Sequence, residues 1–509
     1  MGSNQRKTGA ILTYIIIAIN SVVGILYTPI MLRFMGQSEY GLYSLAASTI
    51  GYLTILDLGF GNAIVRYTAK YRAVDDKNSE SKLGGMFLVI YTIIGTIVLL
   101  IGVLFSLNIE SIFSKSLTTA EIEKAKILFI ILSFNLAVSF PLGIFSSILT
   151  AYEKFVFPKI ITIIRSILMP IIMIPLLLAG YKSIAMVLVI STLNIVGLLI
   201  NAGYCFNKLK IKLTLGKFDY AILKEIAPYS FFVFLNIGVD KLYASTDKFI
   251  LGIVSGTVAV SVYAVAMQLH SYYVMLSTSI NGVFLPKLTE ISVTSQNPGK
   301  EFSDIFVRIG RIQFIILSFA LSGFILFGQN FLGLWAGEEY GSAYYICLII
   351  MIPAIIPLSQ NIGITILQAN NKHMFRSVVY IFIAIFNVLV SIPLGKLYEG
   401  IGVAIGTSLA TFAGQICTMN WYYFKRVNIN IPEYWKQIAK LSCYVIVAML
   451  FGILLTHIID INGWATLTAS IILYSSIFSI IMWKFAMNQY EHNLLISIFK
   501  KIVTTIRRL

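Results

Sequence analysis

Apolar runs of about twenty residues follow one another along almost the whole chain, separated by short polar breaks. No other feature limits the possible folds so strongly. A helix rises about 1.5 Å per residue, so such a run matches a hydrocarbon core roughly 30 Å thick. Read on that scale, spans are expected near 9–33, 40–67, 84–108, 127–150, 160–180, 184–206, 229–254, 257–284, 305–332, 343–367, 377–396, 401–424, 440–459 and 465–486. The breaks 181–183 and 397–400 are so short that their flanking spans form antiparallel hairpins. No break is long enough for a folded domain outside the membrane. Only 12% of the 509 residues are charged and 58% are hydrophobic, whereas a soluble chain carries about 25% charged residues. The mean hydropathy is +0.86. The first apolar run is too long for a signal-peptide core and is expected to remain as the first span.

The net charge of +16 would suggest nucleic acid in a soluble protein, but its distribution says otherwise. With the segments taken alternately, the side holding the N-terminus carries 29 of the 38 Lys and Arg, the other side 6, and the span interiors 3. That bias places both termini in the cytoplasm and requires an even number of spans. The basic loops then face anionic headgroups, and no nucleic-acid partner is needed. In the tail, 487–509, Leu495, Ile498, Phe499, Ile502, Ile506 and Leu509 share one helical face, while Lys500, Lys501, Arg507 and Arg508 lie elsewhere. This pattern reads as a basic amphipathic helix on the inner leaflet, or else as a partly disordered basic tail. The cysteines Cys205, Cys347, Cys417 and Cys443 have no metal-ligand spacing and read as free buried thiols. No metal or cofactor is expected.

The chain also repeats itself. Ile148-Leu149-x-Ala151-x-x-Lys154-x-x-Phe157 reappears as Ile366-Leu367-x-Ala369-x-x-Lys372-x-x-Phe375, an offset of 218 residues. Tyr204-Cys205-Phe206 matches Tyr422-Tyr423-Phe424 at the same offset. Tyr43-Ser44-Leu45-Ala46 resembles Tyr263-Ala264-Val265-Ala266 at nearly that offset. The offset covers six spans, so the repeated elements cross the membrane in the same sense, and the implied axis lies along the membrane normal. The expected plan is an N-lobe over 1–206, a cytoplasmic linker over 207–228, a C-lobe over 229–424, two further spans within 425–486, and the tail. Two such lobes imply a cleft opened alternately to either side, which favours a transporter.

Charges inside a span cost at least about 2.5–3.5 kcal/mol and mark cavities or pairs. The seventh span is richest: Asn236, Asp240, Tyr243 and Asp247 form one stripe, with Lys241, Ser245 and Lys248 on a second. They either line a cavity or neutralise one another. Asp57 lies in the second span, followed by Gly59, Gly61 and Arg66; the glycines bend the helix or admit a close neighbour, and Arg66 reads also as a simple anchor. Arg33 ends the first span, whose Asn20, Gly24 and Tyr27 share a face. Arg165 sits inside the fifth span, and His270, Ser277 and Asn281 share a face of the eighth. Enzyme motifs are missing: there is no metal-spaced cluster, phosphate-cradling glycine loop or nucleophile elbow.

The stretch Leu26–Ala73 resembles the opening hairpin of bacterial polysaccharide-biosynthesis exporters, the O-antigen and capsule flippases of the multidrug/oligosaccharidyl-lipid/polysaccharide superfamily. Thr246–Gly252 followed by Val260–Tyr263, and Leu334–Tyr340, are similar to further parts of that family. The resemblance implies an all-α polytopic protein that turns an undecaprenyl-pyrophosphate-linked oligosaccharide from the inner to the outer leaflet of the bacterial cytoplasmic membrane, driven by an ion gradient or the membrane potential. Membrane lipids, a coupling cation, a glycan polymerase and glycosyltransferases are the implied partners. Arg33, Arg66, Arg165, Lys241 and Lys248 are the cations available to a polyanionic headgroup; Asp57, Asp240 and Asp247 are the acids available to a coupling ion. The lipid II flippases of the superfamily carry arginines well inside the first span, whereas here that span is uncharged until Arg33, which makes lipid II a poorer fit. A cation-coupled multidrug or small-molecule antiporter is the second reading, weakened by the lack of an acid in the first span. A non-transporting scaffold for glycan assembly is the third.

Overall fold

The structure, a computed structural model, describes residues 2–215, 220–281, 284–370 and 372–506; some side chains within helices also lie outside that description. Among the described residues every regular element is helical. The chain divides into two compact units: Met1–Ala264 with Val390–Val403, and Val265–Leu389 with Ala404–Leu509.

The first unit contains α1 (Gly2–Met35), α2 (Gln37–Leu53), α3 (Phe60–Ala73), α4 (Lys77–Leu107), the short α5 (Ile109–Phe113), α6 (Thr119–Ala151), α7 (Val156–Leu178), α8 (Ser183–Asn207), α9 (Tyr220–Val254) and the first part of α10 (Gly256–Asn281). Helix starts follow local chemistry. Asp76 accepts the Ser79 amide at 3.0 Å ahead of α4, and Thr118 with Glu121 forms a capping box ahead of α6. Along α4, Tyr91, Ile94, Val98 and Gly102 are buried while Ile93, Ile97, Leu100 and Leu104 are exposed. A helix that is apolar on both its packed and its open face has lipid outside it. At one end of the unit, Lys124 and Ser183 both donate to the buried Glu39. Ser38 and Thr257 each reach Glu121 at 2.6 Å. These bonds stitch α2, α6, α8 and α10 together.

The second unit holds the rest of α10, α11 (Leu285–Thr294), α12 (Pro298–Trp335), α13 (Ser342–Ser359), α14 (Ile362–Ala369), most of α15 (His373–Thr411), α16 (Met419–Arg426), α17 (Ile431–Ile458), α18 (Trp464–Ile481) and α19 (Gln489–Ile506). A π-helical turn, Phe412–Thr418, joins α15 to α16. The backbone of α15 is non-helical at Tyr398 and Glu399, so the helix is two antiparallel arms, as the short break 397–400 requires. In α12, 17 of 38 residues are buried. Tyr434 of α17 meets Ser359 at 2.6 Å, Tyr474 of α18 donates to Ser322 of α12 at 2.6 Å, and Phe306 of α12 packs its ring between Tyr423 and Tyr434.

Twelve segments of the described residues are long and apolar enough to cross a membrane. One of them, Met374–Arg426, has 53 residues and is the two-armed hairpin. With its arms counted separately, and with the 35-residue α9 added, the chain makes about fourteen crossings. The expected span 40–67 is correct in extent but not continuous: it is broken at Leu58–Gly59. Cys205 and Cys347 are buried, whereas Cys417 and Cys443 are exposed. That corrects the expectation of four buried thiols, since an apolar run puts residues against lipid as readily as against protein.

The repeated motif builds the same local structure twice. The Lys154 amide bonds to the Leu149 carbonyl at 2.9 Å, and the Lys372 amide to the Leu367 carbonyl at 2.8 Å. Phe157 packs on Tyr204 with ring centres 4.2 Å apart, and Phe375 stacks on Tyr422 at 3.9 Å. The recurring Phe and Tyr are therefore a contact that seats the start of one span on the end of another.

A close approach within the first unit gives a direct test of packing. A Cβ built on Gly41 would lie 1.8 Å from the Thr257 carbonyl oxygen, whereas one on Gly143 meets nothing within 4 Å. Gly41→Ala is expected to destabilise by about 1–3 kcal/mol and lower the thermal unfolding midpoint of the purified protein. Gly143→Ala is expected to leave that midpoint unchanged or raise it.

Candidate functional site

Charged groups inside the spans of the first unit are held by polar partners at three places, at Asp57, Asp247 and Arg165. The first is the break in the second span. After α2 the chain makes a 3₁₀ turn, Thr54–Asp57, and then passes through left-handed backbone at Leu58 (φ 53°) and Gly59 (φ 73°) before α3 begins. Glycine suits this position twice over. It takes the positive φ without strain, and a Cβ there would lie 2.7 Å from the Val233 side chain of α9. Asp57 sits at the break, half-buried. Its carboxylate accepts a hydrogen bond from the Tyr91 hydroxyl of α4 at 2.6 Å. The Tyr91 ring stacks on Phe140 of α6 at 5.8 Å and has Phe60 and Phe87 about it. A Cβ on Gly61 would stand 3.9 Å from both carboxylate oxygens. The acid is thus held by a phenol beside a residue without a side chain.

The second place is the C-terminal part of α9. Asp247 is buried, 3% exposed, and accepts from the Tyr263 hydroxyl of α10. Its neighbour Thr246 accepts from Tyr52 of α2 at 2.9 Å. Phe249 sets its ring edge-on to both Tyr52 and Phe113. These contacts fix α9 against α2, α5 and α10, so Asp247 works as a lock. Lys241 and Lys248 are half-buried. Asn236, Asp240 and Tyr243 lie outside the described side chains, as does Asn281 of α10.

The third place is the middle of α7. Arg165 is about 13 Å along the helix from its start, close to mid-span. Its Nη1 donates to Asn194 Oδ1 of α8 at 2.6 Å. The Asn194 amide nitrogen donates in turn to Asn135 Oδ1 at 3.0 Å and Ser139 Oγ at 2.8 Å, both on α6. Arg165 is only half-buried. A guanidinium has five N–H groups, and here the protein steers one face of it with a network from three helices.

The remaining predicted residues are not drawn into these groups. Arg33 is exposed in the last turn of α1. Arg66 is exposed on α3 with its guanidinium 5.7 Å from the centre of the Tyr67 ring, the position of an anchor at a span end. His270 belongs to the second unit, half-buried, with its Nδ1 buried and unbonded and its ring 6.5 Å from that of Tyr273. The partners Tyr91, Asn135, Ser139 and Asn194 are uncharged and do not stand out in the charge pattern of the sequence. Their signal was present as neutral polar residues within apolar runs. The described residues contain no group of three or more His, Cys, Asp or Glu placed to hold a metal ion.

This helical architecture, with a broken span and charged groups held inside it, defines a multi-pass membrane protein of the flippase and multidrug-transporter fold. It superposes on a lipid II flippase in an inward-closed conformation with a TM-score of 0.71, at 15% identity, over 93% of this chain and 97% of that one. A multidrug resistance transporter in an inward-facing conformation matches at a TM-score of 0.63, also at 15% identity, over 82% and 95% of the two chains. In sequence, a family profile of polysaccharide biosynthesis proteins matches residues 7–292. The chain belongs to that family. It is 21% identical to a protein of Shigella flexneri described as an O-antigen transporter, over 81% of this chain and 96% of the relative. It is 26% identical to one so described from Escherichia coli (strain K12), over 77% and 90%.

Removing the Tyr91 hydroxyl takes the donor from Asp57. Tyr91→Phe is expected to cost about 1 kcal/mol, the low end for an acceptor that loses its partner, because water reaches a half-buried carboxylate. A lowered unfolding midpoint in Tyr91→Phe that disappears in the Asp57→Ala background would show the two groups to be coupled.

Proposed function

We propose that the protein is a flippase that moves an undecaprenyl-pyrophosphate-linked oligosaccharide from the inner to the outer leaflet by alternating access, for surface polysaccharide assembly. Membership of the polysaccharide biosynthesis family supports the class, and Arg165 carries the reading for the substrate. A cation near mid-span is expensive in hydrocarbon. Here it is half-buried and oriented by Asn194, Asn135 and Ser139, an arrangement suited to bidentate contact with a pyrophosphate. The polyprenyl chain stays in lipid. The charge bias between loops supports an orientation with both termini in the cytoplasm of a bacterial inner membrane.

In this reading Asp57 binds the coupling ion or proton. It is half-buried at a backbone break, whereas Asp247 is sealed and engaged by Tyr263. Arg33, Arg66, Lys241 and Lys248 serve as further cations along the headgroup's route, with Asn236, Asp240 and His270 as further polar candidates. Glycosyltransferases and a glycan polymerase supply the substrate and consume the product. The likeness of fold to a multidrug transporter keeps a cation-coupled antiporter as the second reading, and the same assay separates the two.

The test is translocation of a labelled polyprenyl-pyrophosphate glycan in proteoliposomes. Arg165→Ala is expected to slow translocation at least tenfold, about 1.4 kcal/mol or more of lost binding, with an unfolding midpoint close to that of the unaltered protein. Arg165→Lys keeps the charge but loses the fork and is expected to fall between them. Asp57→Asn is expected to remove dependence on an imposed pH or ion gradient. Drug efflux with no movement of any lipid-linked glycan would sink the flippase reading.

A further inference from the structure

The turn between α9 and α10 is seated against α2 and the loop that precedes α6, all within the first unit. The approach is close. A Cβ on Gly256, where φ is 83°, would lie 2.6 Å from the Ser116 carbonyl oxygen, and one on Gly252 would lie 2.4 Å from the Leu45 side chain. Ser116 Oγ donates to the Gly252 carbonyl at 2.6 Å. Glu121 of α6 completes the contact. Its Oε1 accepts from Ser38 at the start of α2 and from Thr257 at the start of α10, each at 2.6 Å. Its Oε2 accepts from the Thr118 amide at 2.9 Å and the Thr118 hydroxyl at 2.8 Å, the bonds that cap α6.

Glu39 and Glu121 both serve this end of the unit, but they join different elements. Glu39 is buried and engages Lys124 of α6 and Ser183 of α8. Its bonds tie α2, α6 and α8 together, and all three belong to the first copy of the repeat. Glu121 is half-buried and reaches α10. That helix carries Tyr263-Ala264-Val265-Ala266, the counterpart of Tyr43-Ser44-Leu45-Ala46 in α2, and so belongs to the second copy. Movement of one copy against the other leaves the bonds of Glu39 whole and breaks those of Glu121 to Thr257 and of Ser116 to Gly252. These bonds suit release. Their donors are neutral hydroxyls, and water reaching a half-buried carboxylate replaces them at little net cost.

We propose that Glu121 is a releasable latch of the transport cycle. While the cleft is closed on this side, Oε1 holds the α9–α10 turn against α2 and α6. When the cleft opens there, Oε1 exchanges Thr257 for water. Thr118 keeps Oε2 throughout, so the carboxylate stays in place to receive the turn again. The role of the latch rests on the alternating-access reading; its residues rest on the contacts themselves.

The experiment uses the full-length protein in nanodiscs, with the exposed Cys417 and Cys443 replaced by Ser. Ser48→Cys is the reporter. Ser48 is buried in α2, two turns beyond Gly41 on the same helix face, and its hydroxyl bonds only within its own helix. The S38A/T257V double variant removes both donors and leaves the α6 cap intact. It is expected to raise the rate at which a water-soluble maleimide labels the reporter by about tenfold or more. In a second arm, Ser38→Cys and Thr257→Cys are joined by a short thiol cross-linker, since the two hydroxyls lie within about 5 Å of each other through their shared oxygen. The joined protein is expected to translocate a labelled polyprenyl-pyrophosphate glycan about tenfold more slowly or worse, and to recover when the link is reduced. An unchanged labelling rate in S38A/T257V, or full-rate translocation by the joined protein, overturns the latch. Faster labelling in S38A/T257V supports the latch even where the unaltered protein moves no such glycan, an outcome that sinks the flippase reading alone.

Discussion

A backbone N–H or C=O left bare in hydrocarbon costs several kcal/mol, and the rest of this structure depends on avoiding that cost. It makes every crossing a helix, and it limits where a helix can break. Each break has its groups covered. At the second span, the Leu58 amide bonds to Ile55 at 3.1 Å and Thr54 Oγ1 caps the Gly51 carbonyl at 2.7 Å. Between α13 and α14 the Gly363 amide takes the Gln360 carbonyl at 2.8 Å, while the Gln360 side chain pairs with Asn420 at 2.8 Å. In the π-helical turn Thr418 Oγ1 reaches back to Ala413 at 2.9 Å. At these breaks backbone and side chains share the bonding, and such places are where spans can flex.

The same accounting governs the buried side chains and separates those that hold the fold from those open to a ligand. Asp247 with Tyr263, and Arg311 with Glu491, are buried and join helices. Asp57 and Arg165 also have partners, Tyr91 and Asn194, yet both remain half-buried. A charge that the protein orients and leaves partly exposed can change partner during a cycle. Three neutral residues, Asn135, Ser139 and Asn194, do the orienting around Arg165, so this span interior carries a cation without a protein counter-ion in the network that steers it.

Much of the fold was legible because its determinants are local. The hairpin breaks at 181–183 and 397–400, the apolar runs and the repeated Ile-Leu-x-Ala-x-x-Lys-x-x-Phe motif all appear in the structure at the expected positions. Gly59 was readable as a weak point in its helix, although not as a complete break, since the deciding contact with Val233 comes from a span more than 170 residues away. Arg311 falls inside the expected span 305–332, and nothing near it in the sequence marks a partner. Its role depends on Glu491, 180 positions later. The seventh span showed its acids and lysines plainly, but nothing in their spacing indicated that Tyr263 would close over Asp247. Cys417 and Cys443 were misread as buried because hydropathy cannot tell lipid from protein.

By itself, then, the sequence determined that the chain crosses a membrane about fourteen times, where the turns fall and which elements repeat. Hydropathy, chain length and charge bias act over one span or one loop, and each can be read in a window of that size. Only the tertiary structure decided which intramembrane charges are sealed and which are open. Arg165 meets Asn194 across 29 residues, Asp57 meets Tyr91 across 34, and Arg311 meets Glu491 across 180. A hydrogen bond requires its two atoms within about 3 Å, and no local pattern specifies which distant helix will supply the second.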